Sequence, residues 1–417
     1  MVRTKQRDLT LIIAGALAIR LAYVLAQDRW ALFAGGNTPS PDGRLYLELA
    51  DNIAHGLGFV TLGPIGWKES GYPFAIGATA WVMPGYPAFL AAIERLFGSS
   101  QLSIQMVQGL IGALTCLVIA RIAGLLGGSR AALISGVTAA VYYELVFATT
   151  TIATETLFTF LIAIGLWAMA DATSSARSST ERFVLGGVLM GIATLVRPEA
   201  AGFACCIALA WVAIPGVLPQ AARTRQAAAM IVASIAIVLP WSVRNAIATG
   251  RFTLSTESSY VTWLGNNPAY DRIAADFARF GGYSAAAEFP AMPSLHAYTE
   301  SEATAAYRGA ALAHIAEHPW SWLARAPHKI WNMWRPVEAG TSLRHRMVAY
   351  VVYPALIFGA AIGVVIAWRC SAAMPLLVFL AASFALHAAV IGETRYRLPL
   401  WTAIIPFFAV AVDRALG

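Results

Sequence analysis

Acidic and basic side chains are scarce in this chain, and several of them stand at the edges of apolar runs. Asp42 follows the first run, in the stretch SPDGRLYLELADNIAHGLGF (40–59), and Glu155 opens a later one. A carboxylate so placed can take a proton from a hydroxyl group. Arg197, Arg244, Arg395 and Arg397 stand at the ends of other runs, and Arg20 lies within the first. Guanidinium groups bind phosphate and stabilise negative charge that develops on it. Each group also has an ordinary role. Ser40 or Asp42 suits a helix N-cap with Pro41 in the first turn, Glu155 complements a helix N-terminus, and an arginine at a membrane face can keep its head in water. Arg20 can pair with Glu199 or another buried carboxylate.

The elements that must position these groups follow from composition and periodicity. The 417 residues are 58% hydrophobic and 12% charged, with a mean hydropathy of +0.64. Soluble domains carry roughly 25% charged residues, so much of this surface must face lipid. Apolar runs predict spans near 9–26, 102–126, 130–148, 155–171, 183–196, 200–214, 227–244, 347–368, 372–392 and 398–413. The runs 183–196 and 200–214 are short, and Arg197-Pro198-Glu199 between them suggests a broken hairpin entering a polar cavity. Although the first run follows Arg3, Lys5 and Arg7, it lacks a clear cleavage site and reads as a retained helix.

With a cytoplasmic N-terminus, the inner loops carry Arg130, Arg177 with Arg182, Arg223 with Arg225, Arg369 and Arg414. That arrangement obeys the positive-inside rule and puts both termini in the cytoplasm. Two outer segments are long, 27–101 and 245–346. In the first, Leu45, Leu49 and Ile53 recur at helical spacing while Glu48, Asp51 and His55 take another face, ended by Gly56 and Gly58. A second surface helix is expected over 84–97. The other segment holds Asn266-Asn267-Pro268, Gly281-Gly282 and a helical section over about 300–334. Its Trp320, Trp322, Trp331 and Trp334 mark a membrane interface. The expected organisation is a membrane module over 1–244, an outer loop region over 245–346 and C-terminal membrane helices over 347–417.

The net charge of +7 fits topology signals and anionic lipid. No basic run lies beside an aromatic platform, so no nucleic-acid partner is expected. Cys116, Cys205, Cys206 and Cys370 lack metal-ligand spacing and read as small core residues. His314-Ile-Ala-Glu-His318 spells a zinc-peptidase pattern, but Pro319 and the tryptophan-rich context favour an interfacial helix, and no metal site is assigned. Trp67, Tyr72, Trp81 and Tyr86 can anchor at the interface or stack on sugar faces.

Several motifs together carry a resemblance: Asp42 with LYLELADNIAHGLGF, PGYPAFLAAIERLFG (84–98), TETLFTFL (154–161), GIATLVRPE (191–199), LPWSVRN (239–245) and ETRYRLPL (393–400). In order and placement they resemble the polytopic GT-C glycosyltransferases, in the bacterial branch related to protein O-mannosyltransferases and aminoarabinose transferases. The resemblance implies an all-α bundle of about ten transmembrane helices, with amphipathic helices in the first outer loop and a long outer loop before the last three spans. It implies an inverting hexosyl or pentosyl transferase of the inner membrane, using a polyprenyl-phosphate sugar at the periplasmic or extracellular side. The acceptor would be a glycan, lipid or protein. Asp42 would then be the base and Glu155 a second acid that orients the acceptor or binds a metal. Arg197, Arg244, Arg395, Tyr396 and Arg397 would hold the donor phosphate, supported by Arg20, His55, Glu199 and His387.

Two departures stand out. Many relatives carry a second acid directly after the aspartate, where this chain has Gly43. Some place a phosphate-binding lysine near Met83-Pro84, where this chain is apolar and Lys68 or Arg95 would have to substitute. The chemistry requires no cofactor; a divalent metal is compatible with it but not indicated. A multispan transporter or flippase of lipid-linked saccharides also explains the intramembrane charges and the broken hairpin. A structural subunit of an envelope-assembly complex is a third reading.

Overall fold

The computed structural model describes residues 6–34, 40–61, 77–174, 179–214, 219–272, 274–275, 299–336 and 343–417. Trp67, Lys68, Tyr72, Arg177, Gly281 and Gly282 lie outside them. The described chain is an α-helical, polytopic membrane protein. Helices cover every run predicted to span: α1 (Gln6–Ala34), α4 (Gln101–Gly127), α5 (Ser129–Val141) with α6 (Tyr143–Phe147), α7 (Glu155–Ser174), α8 (Thr180–Val196), α9 (Glu199–Ala213), α10 (Gln220–Thr249), α14 (Leu343–Ala367), α15 (Ala373–Ala389) and α16 (Trp401–Ala415). Six stretches are long and apolar enough to cross a membrane, the last being Thr394–Ala415, which joins α16 to the turn before it; the α5–α6 pair, bent by 58° at Tyr142, is a seventh when taken as one span. Ten full spans are therefore not established. α8 and α9, with 17 and 15 residues, reach only roughly 22–26 Å at 1.5 Å per residue, against a hydrocarbon core of about 30 Å.

Because lipid tails give little hydrophobic drive for helix association, close backbone packing must hold such a bundle. A Cβ on Gly187 of α8 would lie 2.1 Å from the Met230 carbonyl oxygen of α10, and one on Gly363 of α14 would lie 1.8 Å from that of Phe407 in α16. Glycine is thus required at both crossings. The α5–α6 break exposes helix-end carbonyls, and Arg20 serves them. Fully buried, it donates to the oxygens of Ala16 at 3.1 Å, Ala140 at 3.3 Å and Leu145 at 3.4 Å. The expected pairing of Arg20 with Glu199 or another carboxylate is not what the fold uses, because the broken helix supplies the acceptors.

One end of the bundle carries the long segments. α2 (Pro41–Ala54) packs on α3 (Gly85–Phe97), and β1 (Val60–Thr61) pairs antiparallel with β2 (Gly77–Ala78), Val60 opposite Ala78. α11 (Glu257–Gly265), α12 (Glu300–Glu317) and α13 (Pro319–Trp334) follow. Glu300 joins the two segments, accepting from Thr79 Oγ1 at 2.7 Å, the Ala80 N–H at 2.9 Å and Thr256 Oγ1 at 2.6 Å. At the opposite end, Arg182 pairs with Asp171 and Arg130 with Asp413.

α13 is inside out. Its Trp320, Leu323 and Trp331 are exposed while Lys329, Asn332 and Met333 are buried. Lys329 donates to Asn266 Oδ1 at 2.8 Å and to the Ala389 oxygen at 3.1 Å, and Trp322 Nε1 donates to the same oxygen at 3.1 Å. Of the four tryptophans expected at the interface, two are strongly exposed, whereas Trp322 bonds inward and Trp334 stacks on Phe384 at 5.6 Å.

Candidate active site

Asp42 is not the cap of its helix. Ser40 takes that role, its Oγ accepting the Gly43 N–H at 3.1 Å, with Pro41 in the first turn. The Asp42 carboxylate is thereby freed for a partner 353 residues away, accepting from Arg395 Nη1 at 2.9 Å. Arg395 Nε pairs with Glu393 at 2.8 Å. Arg395 belongs to a 3-10 turn, Thr394–Leu400, that leads into α16.

Beside this pair lies a second one, built on the α8–α9 break. Pro198 ends α8, and Arg197 is left in extended backbone with its side chain turned inward. Arg197 Nε donates to Glu199 at 2.6 Å, and its Nη1 approaches Glu155 and Thr154 Oγ1 at 3.4 and 3.3 Å. The Tyr396 ring stands between the two arginines, 4.9 Å from the Arg197 guanidinium and 5.3 Å from that of Arg395. Glu155 is set by the loop before α7. Gln105 donates to the Thr150 oxygen at 2.8 Å, and Gln108 donates to those of Thr149 and Thr151 at 3.1 and 2.8 Å. Tyr86 in turn donates to Gln108 at 3.0 Å. Glu155 Oε2 is buried without a partner among the described residues.

Arg395 and Arg197 line a pocket together with Phe158, Glu199, Phe379, Ser383, His387 and Tyr396, among others. The fold thus gathers Asp42, Glu155, Arg197, Glu199, His387, Arg395 and Tyr396. It adds Glu257, in the first turn of α11, whose N–H donates to the Trp81 oxygen at 3.2 Å. Desolvation first, and then the charge of Asp42, push the Glu257 carboxyl up to about 8, while Arg395 and Arg197 pull it down. Sequence reasoning missed Glu257 because it lies in a polar loop where an acid is unremarkable.

Other predicted groups go elsewhere. Arg397 is buried, accepted by Glu144 through Nε at 2.9 Å, by the oxygens of Met333 and Arg335 at 3.0 and 2.7 Å, and by Tyr353 Oη at 2.6 Å. Trp401 Nε1 also donates to Glu144, at 2.7 Å. With its donors so engaged, Arg397 braces the 3-10 turn. Glu144, the acid that makes this possible, was legible only as a charge inside the apolar run YYELVF. Arg244 donates to the Phe59 oxygen at 2.7 Å, to the Thr79 oxygen and to Asn245 Oδ1 at 3.2 Å. It fastens the β1–β2 hairpin to α10. His55 caps the far end of α2, roughly 20 Å from Asp42 by helix rise, and bonds Asp51. Arg95 donates to the Ala54 oxygen at that same end. Trp81 and Tyr86 are buried, so neither anchors at an interface. His314 Nε2 faces Arg325 Nη1 at 3.3 Å, an arrangement for accepting a hydrogen bond from the guanidinium. Among the described residues, Asp51, His55 and Glu94 are the one donor group compact enough for a metal ion, with ligand atoms within 4.8 Å of one another. That group is open to solvent and contains neither Asp42 nor Glu155.

Comparison with known proteins agrees with this architecture. Residues 82–243 match the model of the family described as dolichyl-phosphate-mannose-protein mannosyltransferase. No curated protein sequence matches the chain. Among solved structures, ArnT from Cupriavidus metallidurans bound to undecaprenyl phosphate has a TM-score of 0.54 at 15% identity, covering 97% of this chain and 60% of that one. AglB, the archaeal oligosaccharyltransferase from Archaeoglobus fulgidus, in complex with an inhibitory peptide and a dolichol-phosphate, has a TM-score of 0.58 at 13% identity, covering 98% of this chain and 50% of that one. The chain therefore spans about half to three fifths of the length of these neighbours. It is a polytopic membrane protein of the GT-C fold. Its residues 82–243 are similar to the mannosyltransferase family model, and over nearly its whole length its fold is similar to that of ArnT and AglB.

Proposed function

We propose that the chain is an inverting glycosyltransferase that moves one sugar from a polyprenyl-phosphate donor to a glycan, lipid or protein acceptor on the outer side of the cytoplasmic membrane. The observation that carries this reading is the 2.9 Å pair of Asp42 with Arg395, which sets a carboxylate beside a guanidinium that lines a pocket. In the resting site each neutralises the other. A donor phosphate competes for Arg395 and releases the Asp42 carboxylate to serve as base. The acceptor hydroxyl gives its proton to Asp42, and its oxygen bonds the anomeric carbon. The bond from that carbon to the phosphate oxygen breaks on the opposite face, and its electron pair leaves with the phosphate. Arg395 and Arg197 stabilise the growing charge.

Glu257, held neutral below about pH 8, lies within the influence of Asp42 without adding charge that would repel the donor. Glu155 orients Arg197 and offers its free oxygen to the acceptor. The neighbours' undecaprenyl phosphate and dolichol-phosphate, and the family's dolichyl-phosphate mannose, support a lipid-linked donor. The arginines meet the charge demand of this chemistry, so the mechanism has no step that calls for a metal.

The test is release of polyprenyl phosphate by the purified full chain. Asp42→Asn should lower turnover by about a hundredfold or more, and near-normal turnover in that variant would sink the base assignment. The short α8–α9 pair with its internal arginine favours one competing reading, a flippase for lipid-linked saccharides. Transbilayer movement of the lipid in proteoliposomes without any transfer product would establish that reading instead.

A further inference from the structure

His387 sits near the C-terminal end of α15, 6% exposed, and its ring lies 4.7 Å from that of Tyr396 in the pocket that Arg395 lines. Its Nδ1 is 2.8 Å from the backbone oxygen of Ser383. A carbonyl oxygen can only accept, so Nδ1 carries a proton. In the neutral imidazole, the ordinary form of histidine near pH 7, this leaves Nε2 with a lone pair.

The lining thus holds groups of opposite preference. The guanidinium groups of Arg395 and Arg197 suit phosphate oxygens, whereas Nε2 and the Glu199 carboxylate suit a group that donates. The enclosed space is about 10 Å³, room for one water-sized group. A pyranose ring does not fit there, but a single hydroxyl does. Phe158, Phe379 and Tyr396 supply the apolar wall against which a sugar face can rest.

We infer that His387 reads one hydroxyl group of the donor's sugar, which enters the cavity and donates its hydrogen bond to Nε2. The inference rests on the glycosyltransferase reading above. It assigns the hydroxyl to the donor because the arginines that take its phosphate line the same cavity, and Asp42 is not among the residues that line it. Such a site discriminates strongly, because an analogue lacking the hydroxyl leaves a buried acceptor unpaired.

The experiment uses the purified full chain with polyprenyl-phosphate-linked mannose, glucose, galactose and arabinose, and then the monodeoxy analogues of whichever is turned over. Wild-type protein should lose about tenfold or more in kcat/KM on one analogue. His387→Leu should bring the parent donor down to the level of that analogue and treat the two alike, leaving the ranking of the others unchanged. His387→Gln, which keeps an acceptor, should recover part of the difference and controls for folding.

Wild-type rates in His387→Leu, or an equal loss on the parent and every analogue, would overturn the inference while leaving glycosyl transfer intact. A deoxy effect that follows the acceptor's hydroxyls instead would overturn the assignment to the donor. Failure of wild-type protein to release polyprenyl phosphate from any of the four donors would defeat both readings.

Discussion

At the scale of residues, the site is a contest between like and opposite charges in a setting of limited water. Glu257 makes this measurable. Its carboxyl is pushed up to about 8 in the folded protein, against about 4.3 in an unfolded chain. The folded state therefore favours the protonated acid, and this contribution to stability is full below about pH 4 and is lost as pH rises toward 8. The charge that then appears beside Asp42 opposes an anionic donor. Donor turnover should fall as pH rises through about 8, and Glu257→Gln should flatten that alkaline limb; an unchanged profile would remove Glu257 from the site.

Arg397 makes the contrasting case. Truncating it to alanine takes the cation from half-buried Glu144, which keeps only the donors of Trp401 and Tyr142, a loss of about 1.5–3 kcal/mol. Thermal unfolding in detergent should show this as a marked drop in stability, whereas Arg395→Ala, at a more exposed position, should lower turnover with little change in unfolding. The two arginines of RYRLPL look alike in sequence. Only Glu144, Tyr353 and the backbone of α13, all remote in sequence, divide a brace from a ligand.

Among elements, the decisive ones are breaks. α8 and α9 are separate because Pro198 cannot continue the first helix, and the resulting kink delivers Arg197. The bend at Tyr142 delivers Glu144, and the turn after α15 delivers Arg395. That last turn is held by α13, whose Lys329 and Trp322 both serve the Ala389 oxygen at the helix end. Lys329→Met removes one of these donors and leaves Asn266 Oδ1 without its ammonium partner, at a cost of about 1–3 kcal/mol. Turnover should fall although residue 329 contacts no catalytic group, and a shift in donor KM would report the displaced Arg395. Full activity in Lys329→Met would show that α13 does not position the turn.

Over the whole molecule, the two ends differ in kind. One gathers Asp42, Arg395, Arg197 and the long segments; the other gathers the ion pairs Arg182–Asp171 and Arg130–Asp413. With the catalytic end outside, a cysteine placed at exposed Arg44 in a cysteine-free background should react with an impermeant maleimide in intact cells, and one at exposed Arg130 only after the cells are permeabilised. Labelling of both from one side would refute the proposed orientation.

The sequence by itself determined that the chain is a membrane bundle, where its helices lie and which acids and arginines are available, because apolar runs, prolines and glycines act locally. It also carried Asp42, Glu155, Arg197 and Arg395 as candidates. It did not separate Arg395 from Arg397, find Glu257, or place Arg20, Arg244 and His55 away from the site. Those distinctions depend on which oxygen atoms face each side chain after packing. A hydrogen bond spanning 353 residues, like that of Asp42 and Arg395, has no local signature; only the tertiary structure could decide it.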